Sequence, residues 1–485
     1  MLVRQASSPP DTEPSTPAPD AHNSFSPPPH RKRKHAGGGA TAVILTNASS
    51  PAPSDGVGAF PDAGPADGEV VAADVQASAS RPRLTVSRGP VFLPVAESSK
   101  YHTTDQVCMN RLGYRYVPAG LAEPGSKIPY RTIESRPPGY VRVSWEDRNP
   151  LIMVTQDGLG LCGEKGFRSA RLNVPVREGK WYMEVRIEKG GGEDADQGRE
   201  GAHVRLGWGR REAQLNGPAG LDGYSYAYRD KTGDKVTLSR PRPYGRSFKS
   251  GDVIGMYISL PPKRKPKAND PYDPAHIRRE RIAIDFKGQE YFECVEYSQS
   301  KEMLALLEDN NKSKSTASVP SSSKKSATVK NLPERGRQGK ATPEPAPLQP
   351  LPSLKNSKIS FFVNGESQGT AFEDIYDYLQ LRTVPSKRKN QNKRKREGIR
   401  THTDNPFDDG WLGYYPFISL FNGAEVKLNP GPDFEFPPPD DIDCLLEDKK
   451  VKGDHSRKWR PLCERYAEFM AEQWALDAQE EEEAQ

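Results

Sequence analysis

Two arginines on alternating strand positions are the side chains of this sequence best suited to bind something. In His203-Val204-Arg205-Leu206-Gly207-Trp208, extended backbone sends Val204, Leu206 and Trp208 to one face and Arg205 to the other. Arg229 closes the run Tyr224-Ser225-Tyr226-Ala227-Tyr228-Arg229, where the same alternation carries it to the side opposite the tyrosines. A guanidinium is a rigid fork of donors that meets two carboxylate or phosphate oxygens at once, so the pair suits an acidic or phosphorylated segment. On the residues alone the plainer reading, surface arginines with local partners, is preferred. Two further basic groups stand apart: Arg31, Lys32, Arg33 and Lys34, and then Lys387, Arg388 and Lys389 with Lys393, Arg394, Lys395 and Arg396. Such runs serve as nuclear-import signals or touch nucleic-acid phosphates; the bland alternative is a solvated charge run.

Catalytic chemistry has no comparable signal. The sequence contains no GxxxxGK[ST] and no HExxH. His203 is the only histidine within the motif strands and reads as a structural residue rather than a base. Cys108, Cys162, Cys294, Cys444 and Cys463 are scattered without a CxxC pair. Neither a zinc site nor a disulfide framework is expected, and a reducing compartment suits the chain. No catalytic residue, metal or cofactor is assigned.

The elements that position Arg205 and Arg229 are short runs rich in β-branched and aromatic residues, each bounded by Gly, Pro, Asp or Asn. They include Val141-Arg142-Val143-Ser144-Trp145, Lys180-Trp181-Tyr182-Met183-Glu184-Val185-Arg186-Ile187 and Asp252-Val253-Ile254-Gly255-Met256-Tyr257-Ile258. Trp181, Met183, Val185 and Ile187 share one face, and Tyr182, Glu184 and Arg186 the other. This pattern predicts an all-β antiparallel sandwich. Lys358 to Gly365 ends in Asn-Gly, the strongest short hairpin signal of the chain.

The rest of the chain is less uniform. Only 34% of 485 residues are hydrophobic and 46 are proline, which fits a core of roughly 200–300 residues with disordered segments. No apolar run approaches the ~18 residues of a membrane span, and no signal peptide is read at the start. The formal charge of +5 conceals basic blocks and the acidic run Glu480 to Glu483. Residues 1–90 are expected to be disordered. The sandwich and its extended lead-in occupy 91–309, a disordered insertion 310–354, and the second part of the sandwich 355–440, with a basic insertion at about 383–408. A linker over 441–456 leads to a helix over 457–479 and an acidic tail over 480–485. In that helix Leu462, Cys463, Tyr466, Phe469, Met470 and Trp474 recur at helical spacing. A helix from Pro461 to Gln479, about 28 Å long, is marginal alone and must dock either on the sandwich or on a partner. The polar stretch Glu447 to Arg457 favours the partner.

Several of these runs together resemble a known domain. Gly163-Glu164-Lys165-Gly166-Phe167, Lys180 to Glu184, Arg205-Leu206-Gly207-Trp208 and Gly251-Asp252-Val253-Ile254-Gly255 look like a SPRY domain. With Asp222 to Arg229, Phe361 to Gly365 and the terminal helix, they resemble the SPRY subunit of COMPASS-type histone methyltransferase complexes. That is the "absent, small or homeotic discs" family, here in a short fungal-type form. The likeness covers about Val141 to Pro437, less the insertions, plus the helix; the animal members' zinc-finger and winged-helix region has no counterpart.

The resemblance implies a non-catalytic nuclear subunit that stimulates a SET-domain enzyme acting on lysine-4 of histone H3 in nucleosomes. It implies a basic and aromatic pocket gripping an acidic hinge of a WD-repeat subunit. Carried over, the pocket is Phe167, Arg205, Pro218, Leu221, Arg229 and Lys231, with Phe167 and Leu221 replacing residues that are tyrosine or aromatic in the family. It further implies that Leu462, Tyr466, Phe469, Met470 and Trp474 dock on a small helical dimer of the dumpy-30 family, while the basic segments suit contact with DNA. The rivals are a ubiquitin-ligase SPRY reader, which would need a RING that is absent, and an RNA-binding SPRY protein, for which no RNP motif is present.

Overall fold

Period-two patterns become strands because each offers one apolar row to bury and one row to present. The computed structural model describes residues 90–104, 114–122, 124–128, 130–132, 139–196, 198–279, 281–286, 289–295, 297, 299–307, 348–381, 406–447 and 456–484. The expected disordered N-terminal region, nearly all of the first insertion and most of the second, with the basic runs Arg31–Lys34 and Lys387–Arg396, lie outside these residues.

Among the described residues the strands form three sheets. The largest has Gly179–Lys189 near its middle, hydrogen-bonded to Val253–Leu260 on one side and Ala424–Asn429 on the other. Beyond Val253–Leu260 come Lys358–Val363 and then the edge strand Glu366–Glu373. Asn364 and Gly365 join these two at φ 51° and 81°, the left-handed geometry that the Asn-Gly hairpin signal requires. The second sheet runs Arg240–Pro243, Asp234–Thr237, Ser225–Arg229, His203–Gly209, Tyr415–Phe421, Arg168–Leu172 and Val143–Arg148.

Between these sheets lies the principal core. Trp181, Met183, Val185 and Ile187 enter it from one sheet, and Val204, Leu206, Trp208 and Ile418 from the other, all buried. Each such side chain contributes about 1.5–3 kcal/mol through burial. The opposite face of Gly179–Lys189 is covered too. Tyr182 packs with Tyr257, Phe362, Ile442 and Trp459 in a second cluster. The stretch expected to be a linker over 441–456 therefore begins as structure: Ile442–Leu446 is a helical turn capped by Asp441, whose carboxylate accepts the Cys444 amide at 3.1 Å.

The third sheet differs from the expected lead-in and continuation. Arg281–Phe286, Gln289–Val295, Tyr114–Leu121 and Tyr130–Thr132 form a separate four-stranded sheet. Two lead-in strands, Phe92–Pro94 and His102–Thr104, instead extend the largest sheet. The end of the first insertion also moves. Leu351 and Leu354 pack against the cores, and the Leu354 amide donates to Ile375 at 2.8 Å, so structure resumes before residue 354.

The C-terminal helix starts with a 3-10 turn, Leu462–Glu464, and runs as α-helix over Arg465–Glu483. The expected acidic tail is thus largely helical. Carboxylates at a helix C-terminus oppose its dipole, but here tertiary arginines compensate. Glu480 pairs with Arg279 and Arg281 at 2.6 Å, and Asp477 pairs with the same two arginines. Glu481 accepts the Lys127 amide at 2.6 Å. No described helix is long and apolar enough to cross a membrane.

Candidate functional site

Strand register places Arg205 directly opposite Arg229 on the outward face of the seven-stranded sheet. Val204, Leu206 and Trp208 turn inward, as the alternation requires. The Arg205 guanidinium lies 4.7 Å from the centre of the Phe167 ring and donates to the Ala219 carbonyl at 3.4 Å. Phe167 in turn leans on Phe421, with ring centres 4.8 Å apart. Among the described residues Arg205 has no carboxylate partner; burial, and then the facing Arg229, bring its pKa down to about 10. A half-buried cation beside another cation and over a ring is a site short of an anion.

The other expected residues gather around it to different degrees. Pro218 and Leu221 sit on the loop that carries Ala219, and Leu221 donates its amide to Pro218 at 3.2 Å. The Ser419 hydroxyl accepts the Ala219 amide at 2.7 Å, and the Ser239 hydroxyl donates to the Leu221 carbonyl at 2.7 Å. Gly220 has φ 79°, and a Cβ there would stand 2.5 Å from the Val236 carbonyl oxygen, so only glycine fits the loop this close to the sheet. Arg229 has local partners, Asp234 at 2.9 Å and Thr232 at 2.7 Å. Lys231 pairs with Glu200 at 2.6 Å on open surface, an interaction of about 0–1 kcal/mol. His203 is structural: it faces Asp230 at 3.2 Å, and Asp230 also accepts the amides of Gly191 and Val204.

The helix residues are not brought together as a free stripe. Leu462, Phe469 and Met470 are 0%, 1% and 2% exposed, and Tyr466 is partly buried against the core. Phe469 meets Trp411 edge-on, with ring centres 5.1 Å apart. This corrects the expectation that these side chains anchor an outside dimer. The reason is upstream: Arg460–Pro461 pairs as a strand with Trp181 and Tyr182, so the helix leaves the sheet with no slack linker and its apolar face falls on its own sandwich. Of the five, Trp474 alone projects, at 50% exposure. It shares the outward face with Ala467, Ala471, Ala475 and Ala478, all exposed. Small residues add little to an apolar pattern, so in the sequence this face is marked only by their i, i+4, i+8 and i+11 spacing.

Comparison with known proteins gives a consistent family. Residues 180–263 match the SPRY domain model. The Set1 complex component ash2 of Schizosaccharomyces pombe is 35% identical over 397 residues, covering 82% of this chain and 50% of its own length. The COMPASS component cclA of Colletotrichum higginsianum is 32% identical over 428 residues, covering 79% of this chain and 69% of its own. The COMPASS component BRE2 of Saccharomyces cerevisiae is 24% identical over 408 residues, covering 68% of this chain and 80% of its own. The chain thus spans half the length of the fission-yeast relative.

Proposed function

The chain belongs to the family of Set1 and COMPASS complex components that includes ash2, cclA and BRE2, and from this we propose that it is a non-catalytic scaffold of a nuclear histone H3 lysine-4 methyltransferase complex. Arg205 carries the reading. Its guanidinium is half-buried over Phe167, faces Arg229 and lacks a carboxylate among the described residues. An acidic segment of a WD-repeat subunit supplies the missing anion. Phe167, Pro218 and Leu221 surround the contact, and Arg229 and Lys231 exchange their present carboxylates for those of the segment. Charge-assisted hydrogen bonds in such a partly dry site are about twice as strong as neutral ones.

The second contact is helical. Leu462, Phe469 and Met470 serve the chain's own core, so the outward face with Ala467, Ala471, Trp474, Ala475 and Ala478 is the one that meets the small dumpy-30-type helical dimer. Small residues let a partner helix approach closely, and Trp474 supplies the anchor. The basic run Lys387–Arg396 contributes contacts to nucleosomal DNA. The chain stimulates the SET-domain enzyme by holding these parts together.

Reconstitution tests this. Added to a SET subunit with its WD-repeat partners, the chain should raise the rate of histone H3 methylation, and alone it should transfer no methyl group from S-adenosylmethionine. Arg205→Glu should lose both the acidic-segment binding and the stimulation at an unchanged melting temperature. Full stimulation by Arg205→Glu would remove the pocket from the account, and methylation by the chain alone would end the scaffold reading.

A further inference from the structure

The arrangement at Arg205 occurs a second time on the same sheet, on its other face. Lys235 lies directly opposite Arg242 on one neighbouring strand and directly opposite Tyr228, a core residue, on the other. Facing residues on adjacent strands share a side, so this cation pair points inward where Arg205 and Arg229 point outward. It lies at the rim of the sandwich. Arg240–Pro243 is the edge strand of the seven-stranded sheet, and Glu366–Glu373 is the edge strand of the largest. Between these edges opens a cleft of about 350 Å³, with Lys235, Arg240 and Arg242 on one wall and Phe372 and Glu373 on the other. Tyr226 supports Phe372 from behind, edge-on at 5.0 Å.

The cleft carries more cations than anions, Lys235, Arg240 and Arg242 against Glu373 and Asp374. Lys235 gives its Nζ to the Ala371 carbonyl at 2.5 Å and stands 5.6 Å from the Phe372 ring centre and 5.8 Å from that of Tyr244. Neither kind of partner is an anion; burial and then Arg242 hold the Lys235 ammonium below its ordinary pKa, against the opposing pull of Glu373 on the facing wall. Arg242 is exposed and forms no ion pair among the described residues. Across the cleft, Asp374 is committed to Lys355 at 3.0 Å and to the Asn356 amide at 2.8 Å. Like charges set directly across a sheet destabilise it, and an anion entering the cleft would remove that cost.

Strand addition is not the mode of recognition here. Pro241 and Pro243 give the edge no amide donors at alternate positions. On the facing edge, the Gly369 carbonyl already accepts the Tyr244 hydroxyl at 2.6 Å, and Ala371 accepts Lys235. Recognition must therefore go through side chains. We infer that the inter-sheet cleft is a second anion-recognition site, separate from the Arg205 face, that takes carboxylate side chains of an acidic segment of a partner protein, with Phe372 packing against the segment's apolar atoms.

The test is titration calorimetry of the full chain with a poly-glutamate peptide at one fixed salt concentration. Arg242→Glu and Arg205→Glu are compared with Lys265→Glu, an exposed residue outside both sites that controls for net charge. Because these three single reversals carry the same charge change, the contribution of basic runs elsewhere cancels in their comparison. The expected result is that Arg242→Glu loses one binding step, Arg205→Glu loses a different one, and the double variant loses both. The melting temperature of Arg242→Glu should hold or rise, since a carboxylate then faces Lys235. Arg242→Gln, which removes the charge without reversing it, should give the same ordering. Binding by Arg242→Glu equal to that of Lys265→Glu overturns the cleft site, whatever Arg205→Glu does. Loss in Arg242→Glu with none in Arg205→Glu upholds the cleft and removes the outward pocket instead.

Discussion

Phe469 separates a helix that belongs to the sandwich from one that waits for a partner. Its side chain is 1% exposed and its ring stands edge-on to Trp411 at 5.1 Å. Truncating a buried phenylalanine costs about 3–5 kcal/mol, of which an aromatic pair accounts for about 0.5–1.5 kcal/mol. The site lies between the helix and the body of the domain, where the helix can settle slightly, so the lower end applies and Phe469→Ala should cost about 3 kcal/mol. With a urea dependence of about 3 kcal/mol per molar, the unfolding midpoint falls by about 1 M. Trp474→Ala is the paired measurement. That ring is 50% exposed, and substitutions on open surface stay within about 0.5 kcal/mol. The two should also differ in binding, because Trp474→Ala removes the proposed anchor for a helical partner while leaving the fold intact. An unchanged midpoint for Phe469→Ala, measured on the full chain without partners, would refute the packing argument and restore the free-stripe reading.

Asp222 gives a pH prediction. Burial raises its carboxyl from 3.8 to about 6, so the ionised form opposes folding above about pH 6 and this cost disappears as pH falls toward 4. Asp222→Asn should therefore raise stability at pH 7 by up to about 3 kcal/mol and flatten the profile between pH 4 and 6; urea midpoints across that range that match the parent's would contradict it. Removing residues 310–347 should leave the melting temperature nearly unchanged, since loop closure depends weakly on length. Extending the same deletion through Leu354 should lower it clearly by removing Leu351 and Leu354 from the cores, and equal effects of the two deletions would count against this boundary.

The sandwich was legible wherever burial on one face imposes a period of two. Gly179–Lys189 shows this best: Trp181, Met183, Val185 and Ile187 are assigned correctly to the core from alternation alone. Pairings between distant segments were not legible. Tyr114–Leu121 joins Gln289–Val295 through backbone hydrogen bonds, which carry no side-chain signature. The helix was recognised by its stripe, but periodicity identifies an apolar face without saying what covers it. Here the cover was set by the two-residue strand Arg460–Pro461, too short to register as a pattern. At the candidate site, alternation turned Arg205 outward, yet its pairing with Arg229 depends on register, which only the folded sheet fixes. The same limit hid Lys235 and Arg242, although Arg240-Pro241-Arg242-Pro243 plainly alternates.

Many enclosed arginines among the described residues meet carboxylates, and that contrast gives Arg205 and Lys235 their weight. Arg465 pairs with Glu472 at 2.7 Å, Arg210 with Glu212, and Arg279 and Arg281 with Asp477 and Glu480. Arg148, fully enclosed, gives its guanidinium to the Ile152 carbonyl at 2.7 Å and faces no second cation across a strand. Arg205 and Lys235 are unlike all of these. Each is half-buried, stands directly across a strand from another cation, donates to a carbonyl beside one or two aromatic rings with no ion pair among the described residues, and opens toward solvent. A sheet that pairs its other charges closely would gain stability by replacing either residue with a neutral one of similar shape. That both stay cationic is accounted for if the compensating carboxylates arrive with partners, one on each face of the sheet.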